Sequence, residues 1–369
     1  MATHTTDPEL DSRPSETTFT DGELNSVIEA TNEIISSTPA AVDLQIVEDV
    51  GSYYWDASTM GQLNKRSLAA IARLRAYQSP PFPLWDRLPA TRRAAVLVLL
   101  YADRAGELRV VITMRSATLR NFSGLKRTQD IHLKGVFKLI WFELTIGQAA
   151  FPGGKADSVD ESPYQIARRE AWEEIGLPMD DSKIPAPFVI ENLCYLPHSL
   201  ARTGLVVRPC VAFLHPDPTK VDGSELPNVD ETLIPRLDAK EVAAVFSAPF
   251  HNFLKAQDEG TGPVPSGQWY EGRWTDYNDY RWRLHYFYVP IDRQRVTRPK
   301  EREGGQAALA EPEESAPEVR FKVWGMTGRM LVDAARLAYG EEPEFEHNED
   351  YGDEKMINEL ESQILETKL

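Results

Sequence analysis

The chain has 369 residues, 57 of them acidic and 40 basic, for a net charge of −17. That balance argues against general affinity for nucleic acid, which runs on phosphate neutralisation by Lys and Arg. Two cysteines, Cys194 and Cys210, supply no disulfide framework, and no apolar run reaches the ~18 residues of a membrane span. In chain order, residues 1–21 are polar and rich in Pro and Thr and are expected to be disordered. A helical extension follows over 22–88: Asp21 can cap a helix over 23–37, and a second amphipathic helix fits 64–77, stopped by PPFPLWDRLP. The stretches 94–103 and 107–115 read as strands joined by a hairpin through Arg104-Ala105-Gly106. Beyond residue 177, 187–196 and 205–215 read as strands, and 239–254 as a helix or strand–helix unit. A polar Trp/Tyr-rich insertion (255–283) leads to a strand at 283–290. Next come a charged, mobile linker over 293–319, a terminal helix over 321–340, and an acidic tail over 341–369 whose first part (341–354) reads as a solvated run. The main domain is thus expected over 89–340, with both cysteines buried. The N-terminus lacks a charged flank with an apolar core, so no secretory signal is expected.

The stretch that carries chemistry is FPGGKADSVDESPYQIARREAWEEIGL, residues 151–177. Glu170, Glu173 and Glu174 stand at i, i+3 and i+4, so they share one helical face and repel one another. Clustered hard oxygen ligands of this kind suit Mg²⁺ or Mn²⁺ beside substrate phosphates. Taken alone, such a helix is ordinarily a solvated acidic face. Three features change that reading. Arg169 lies eight residues after Glu161 and can pair with it. Gly153-Gly154 permits close backbone approach. Gly176 sits where a left-handed cap would end the helix. With these offsets the stretch resembles the Nudix box, G-x5-E-x7-R-E-U-x-E-E-x-G-U, where U is aliphatic. One departure stands out: counted from Gly154, Asp160 holds the strict glutamate place. Glu161, one residue later, keeps the right spacing to Arg169 and is preferred.

A second motif narrows the resemblance. VVITMRSATLRNFSG upstream and GQAAFPGG before the box together resemble the coenzyme A diphosphatase signature of the Nudix superfamily, through Thr113, Arg115, Ser116, Arg120, Phe151, Pro152, Gly153 and Gly154. Arg115 and Arg120 alone would read as surface arginines in salt bridges. In this setting their planar guanidinium groups suit bidentate contact with phosphate. Residues 125–146 interrupt the signature, and removing them restores it in frame. That segment is either translated non-coding sequence or a genuine lid or amphipathic surface element, with Phe137, Ile140, Trp141 and Leu144 at helical spacing. The flanks add Glu241 to Pro249, His285 and WGMTGRML.

The resemblance implies a Nudix-type α/β/α sandwich with a mixed sheet, where periodicity alone gives only α/β or α+β. It implies a diphosphatase for coenzyme A or its derivatives. Glu170, Glu173 and Glu174 would hold Mg²⁺ (or Mn²⁺), Arg169 and Glu161 would support them, and Glu174 or a loop glutamate (Glu191, Glu241) would be the base. Arg115, Arg120, Gly153 and Gly154 would bind the substrate. The alternatives are another Nudix substrate (ADP-ribose, NADH or a damaged nucleotide) and a non-catalytic binding module. The partner expected is a small molecule, with neither nucleic acid nor a membrane span. Thr367-Lys368-Leu369 is close to the S-K-L address, which points to peroxisomes, with cytosol or mitochondria as the alternative.

Overall fold

The computed structural model describes residues 63–115, 149–220, 227–234, 242–259, 268–277, 279–291, 320–361 and 364. All lie in the second of two compact units, which starts at Ala57. The expected tail (1–21), first helix (23–37), insertion (125–146), linker (293–319) and last residues fall outside this set, as do Arg120 and Glu241. In chain order the elements are α1 (Lys65–Ala76), α2 (Leu84–Arg87), β1 (Arg93–Ala102), β2 (Leu108–Arg115), β3 (Ala149–Ala150), β4 (Gly153–Lys155), α3 (Pro163–Ile175), β5 (Phe188–Tyr195), β6 (Ser199–Leu200) and β7 (Val206–Pro216). Then follow α4 (Val229–Thr232), β8 (Val242–Pro249), β9 (Tyr270–Tyr277), β10 (Tyr280–Pro290), β11 (Arg320–Trp324), α5 (Gly325–Tyr339) and α6 (Glu354–Glu359).

β1 is apolar at nearly every position because both its faces are buried, as expected of a central strand. Ala94, Val98 and Leu100 enter one core, while Leu97, Leu99 and Tyr101 enter the other. One edge of β1 runs parallel to β7. The other edge is shared: antiparallel β2 takes Leu100–Ala102, and antiparallel β4 takes Ala94–Val96. β2 also pairs with β3 and β8, and β7 with β5 and β6. Helices α1 and α5 cover one face through Ile71, Leu74, Leu331 and Ala334. Helix α3 covers the other through Ile166, Ala167, Ala171 and Ile175. This is a mixed sheet between helical layers, the α/β/α architecture expected. Burying a side chain such as Ile71 or Leu74 contributes roughly 2 kcal/mol.

Three expectations are corrected. Residues 270–277 and 280–283 are not a polar insertion: they form β9 and the start of β10, paired from Tyr277↔Tyr280 to Tyr270↔Phe287. Their Trp and Tyr side chains mimic loop composition but alternate across a pleat. The terminal helix starts at Gly325, because Arg320–Trp324 pair with β10 as β11. The acidic run is not simply solvated: His347, Gly352 and Asp353 return to the domain, and Met356 and Ile357 are buried. Residues 242–254 resolve as strand β8 and a short 3₁₀ turn. Among the described residues no helix is long and apolar enough to cross a membrane. Both thiols are free and buried, and burial pushes Cys194 up to about 12.

Candidate active site

The box helix α3 starts with reciprocal capping. Ser162 Oγ accepts the Gln165 N–H, the Gln165 side chain accepts the Ser162 N–H, and Pro163 occupies the first turn. It ends at Gly176 with φ 71°, the left-handed cap. Between these ends one arginine organises the acidic side chains. Arg169 Nε donates to Glu161 Oε1 at 3.0 Å, one terminal nitrogen donates to Glu170 Oε1 at 3.0 Å, and the other donates to the Lys155 carbonyl at 2.8 Å. Glu173 lies 3.7 Å away from the same guanidinium. Asp160 is instead tied to Ser158. Glu161 also accepts the Asp157 N–H at 2.7 Å, which closes the loop between β4 and α3.

The glycines do what the close approach demands. A Cβ on Gly153 would stand 2.5 Å from the Ala95 carbonyl, and one on Gly154 would stand 2.5 Å from the Glu170 carboxyl. Gly153 N–H donates to Glu174 at 3.2 Å. Glu170 and Glu174 therefore both reach from α3 to the Gly-Gly strand. Burial raises the Glu170 pKa; Arg169 opposes this, while Glu173 and Asp157 add to it. Burial also disfavours charge on Glu161, but hydrogen bonds from Arg169 and Asp157 outweigh it and lower that pKa.

A hard divalent cation fits this donor set: all the groups are carboxylates, and the half-buried Glu170 is crowded by like charge. The described residues nonetheless contain no group of three His, Cys, Asp or Glu side chains gathered for a metal. Arg169 holds Glu170 and Gly153 holds Glu174, so a cation would have to draw them together. Arg115 ends β2, with its backbone opposite Val242. Glu191, a candidate base, is gripped by Arg75 of α1 at 2.7 and 2.6 Å, and α1 lies on the sheet face away from α3.

No family model matches the chain. A peroxisomal coenzyme A diphosphatase of Saccharomyces cerevisiae is 28% identical over 75% of this chain and 78% of its own length. Nudix hydrolase 22 of Arabidopsis thaliana is 25% identical over 69% of this chain and 58% of its own. The peroxisomal coenzyme A diphosphatase ndx-8 of Caenorhabditis elegans is 29% identical over 46% and 53%. The last two are spanned over little more than half their length. The chain is similar to Nudix hydrolases. It carries the box with its arginine lock formed.

Several residues that frame this site carry no sequence signal. Arg93 donates to the carbonyls of Leu88, Val159 and Asp86 at 2.9–3.0 Å, stapling the box loop to α2. A cleft of about 500 Å³ beside that loop is bounded by Phe82, Trp85, Tyr195, His198 and Arg208, and meets the expected residues at Glu161. Glu354, from the tail, holds His198 Nδ1 at 2.8 Å. Burial lowers the His198 pKa to about 4 despite Glu354. A lone His in LPHSL gives no hint of these partners, which are up to 156 residues away.

Proposed function

We propose that this chain is a Nudix hydrolase that cleaves the diphosphate bond of coenzyme A and its acyl derivatives. The observation that carries the chemistry is the Glu161–Arg169–Glu170 lock set against Gly153-Gly154. Coenzyme A as substrate is supported by the signature around Arg115 and Arg120 and by the names of two relatives. Water attacks one phosphorus, and the bond to the bridging oxygen breaks. The products are adenosine 3′,5′-bisphosphate and 4′-phosphopantetheine or its acyl form. Such transfers rest on positioning and charge stabilisation. Glu170, Glu173 and Glu174 would hold Mg²⁺, or Mn²⁺ in its place. When bound, the cation would offset phosphate charge and ease deprotonation of the attacking water. Glu174, oriented by the Gly153 N–H, takes the proton in this reading, and Arg115 and Arg120 grip the phosphates. Arg169 and Glu161 are positioning residues that fix Glu170. Peroxisomes are the proposed location, from the names of two relatives.

Product analysis by mass spectrometry tests the reading, with coenzyme A, ADP-ribose and NADH offered separately with Mg²⁺. Release of the two phosphorylated halves of coenzyme A is expected, with Glu174→Gln slower by roughly 10²-fold. Turnover of ADP-ribose or NADH but not coenzyme A would overturn the substrate. No turnover of any of them would overturn the catalytic role.

A further inference from the structure

The sheet β9–β10–β11 has one face in the core and one outside. Phe287, Val289 and Val323 join the core beneath α1 and α5, with Phe321 packed against it. By the pleat, Tyr286, Tyr288, Lys322 and Trp324 point the other way. β11 lies against β3, the strand that leads into Gly153-Gly154. Only Phe151 and Pro152 separate Ala150 from Gly153, about 10 Å of extended chain.

That outer face is aromatic and cationic in a chain of net charge −17. Tyr286 is stacked on Trp324 with centroids 6.0 Å apart and planes 12° apart. Lys322 Nζ lies 4.6 Å from the Tyr286 ring centroid, and the Arg273 guanidinium lies 5.7 Å from it. The nearby carboxylate, Glu271, accepts the Tyr288 hydroxyl. Neither Arg273 nor Lys322 has a carboxylate partner among the described residues. Two like charges around one ring repel, and a bound anion would relieve them. Trp324, 36% exposed, offers a π-face beside them.

We infer that this face is a subsite for a phosphorylated nucleoside: Trp324 takes the base by stacking, and Arg273 and Lys322 take a phosphate on the ribose. Resting on the function proposed above, it would select the 3′-phosphate of coenzyme A while the diphosphate lies at the box.

Calorimetry on the full chain tests this with adenosine 3′,5′-bisphosphate against adenosine 5′-monophosphate. The bisphosphate binds about tenfold tighter, as loss of a charge-assisted hydrogen bond would predict. Arg273→Gln and Lys322→Gln each remove most of that preference, whereas Arg281→Gln on the same hairpin leaves it. Trp324→Leu weakens both nucleotides alike. In the wild-type protein the preference shrinks as salt rises, because exposed charges are screened. Kinetically, the two glutamine variants raise KM for coenzyme A about tenfold with kcat retained. They leave the form lacking the 3′-phosphate unchanged. Equal affinity for the two nucleotides, or a preference that survives both substitutions or high salt, overturns the subsite. Selective binding without coenzyme A hydrolysis would uphold the subsite and overturn the substrate reading instead. Hydrolysis without selectivity would do the reverse.

Discussion

At the scale of single residues, adjacent glycines serve opposite ends. Gly153 faces the backbone of β1, which cannot yield, while Gly154 faces a carboxylate pinned by Arg169. Gly153→Ala should therefore cost stability, about 1–3 kcal/mol for an overpacked strand, seen as a lowered Tm. Gly154→Ala should leave Tm within a few degrees but displace Glu170. Misplacement by about 1 Å costs roughly 10²-fold in rate, read as kcat with the proposed substrate. Equal effects of the two substitutions on Tm would contradict this division. The raised pKa of Glu170 has its own consequence. Its charged form is disfavoured by burial in the metal-free protein, so affinity for Mg²⁺ should begin to fall at a higher pH than it would for a glutamate of ordinary pKa. Glu170→Gln should remove that dependence, measured by metal titration at several pH values. The Glu161–Arg169 half of the lock was legible in the sequence, because the two lie on one short loop and one helix, where spacing fixes geometry; the Arg169–Glu170 contact came from the structure.

At the scale of elements, the β2–β3 pairing decides what the interrupting segment must do. Thr113 faces Ala150 and Met114 faces Ala149, so the described residues on either side of segment 116–148 are already paired. A short loop suffices to join them. Deleting 125–146 cuts the loop to a third of its length, which lowers the closure cost by about 1 kcal/mol. The shortened protein is expected to keep its fold and its hydrolytic activity, with Tm equal or slightly raised. Collapse of the fold or loss of activity in the shortened form would show that the segment belongs to the enzyme. The pairing was not readable beforehand: strand register between distant segments depends on partners, whereas the β1–β2 hairpin is fixed by its own turn. There Gly106 takes φ 74°, and Asp103 accepts the N–H groups of Ala105 and Glu107.

At the scale of the whole molecule, the tail is part of the fold. Asp353 pairs with Arg329 at 2.8 Å and accepts the Leu200 N–H at 2.9 Å. Both side chains are almost fully buried, so Asp353→Ala strands a cation and should cost about 3–5 kcal/mol, measured by denaturant unfolding. The buried His198 gives stability a pH dependence. Its folded pKa, about 4, lies below the ordinary value of 6.5, so the unfolded chain binds the extra proton first. Its contribution is present above pH 6.5 and lost as pH falls towards 4. Between pH 7 and pH 5 it amounts to on the order of 2 kcal/mol. His285, buried and lowered further by His347, acts in the same direction. Stability at pH 5 equal to that at pH 7 would contradict this account.

By itself the sequence determined the local features. These are the α1 helix, the β1–β2 hairpin, the capped box helix, the Glu161–Arg169 pair and the glycine turn, each set by offsets of a few residues. Only the tertiary structure decided that a Trp/Tyr-rich stretch is β9 and β10, that an acidic tail locks onto Arg329 and His198, and that an aromatic, cationic face forms on the sheet beside β3. Those depend on contacts between segments far apart in the chain, where composition is ambiguous and burial chooses between a solvated loop and a pleated, half-covered strand.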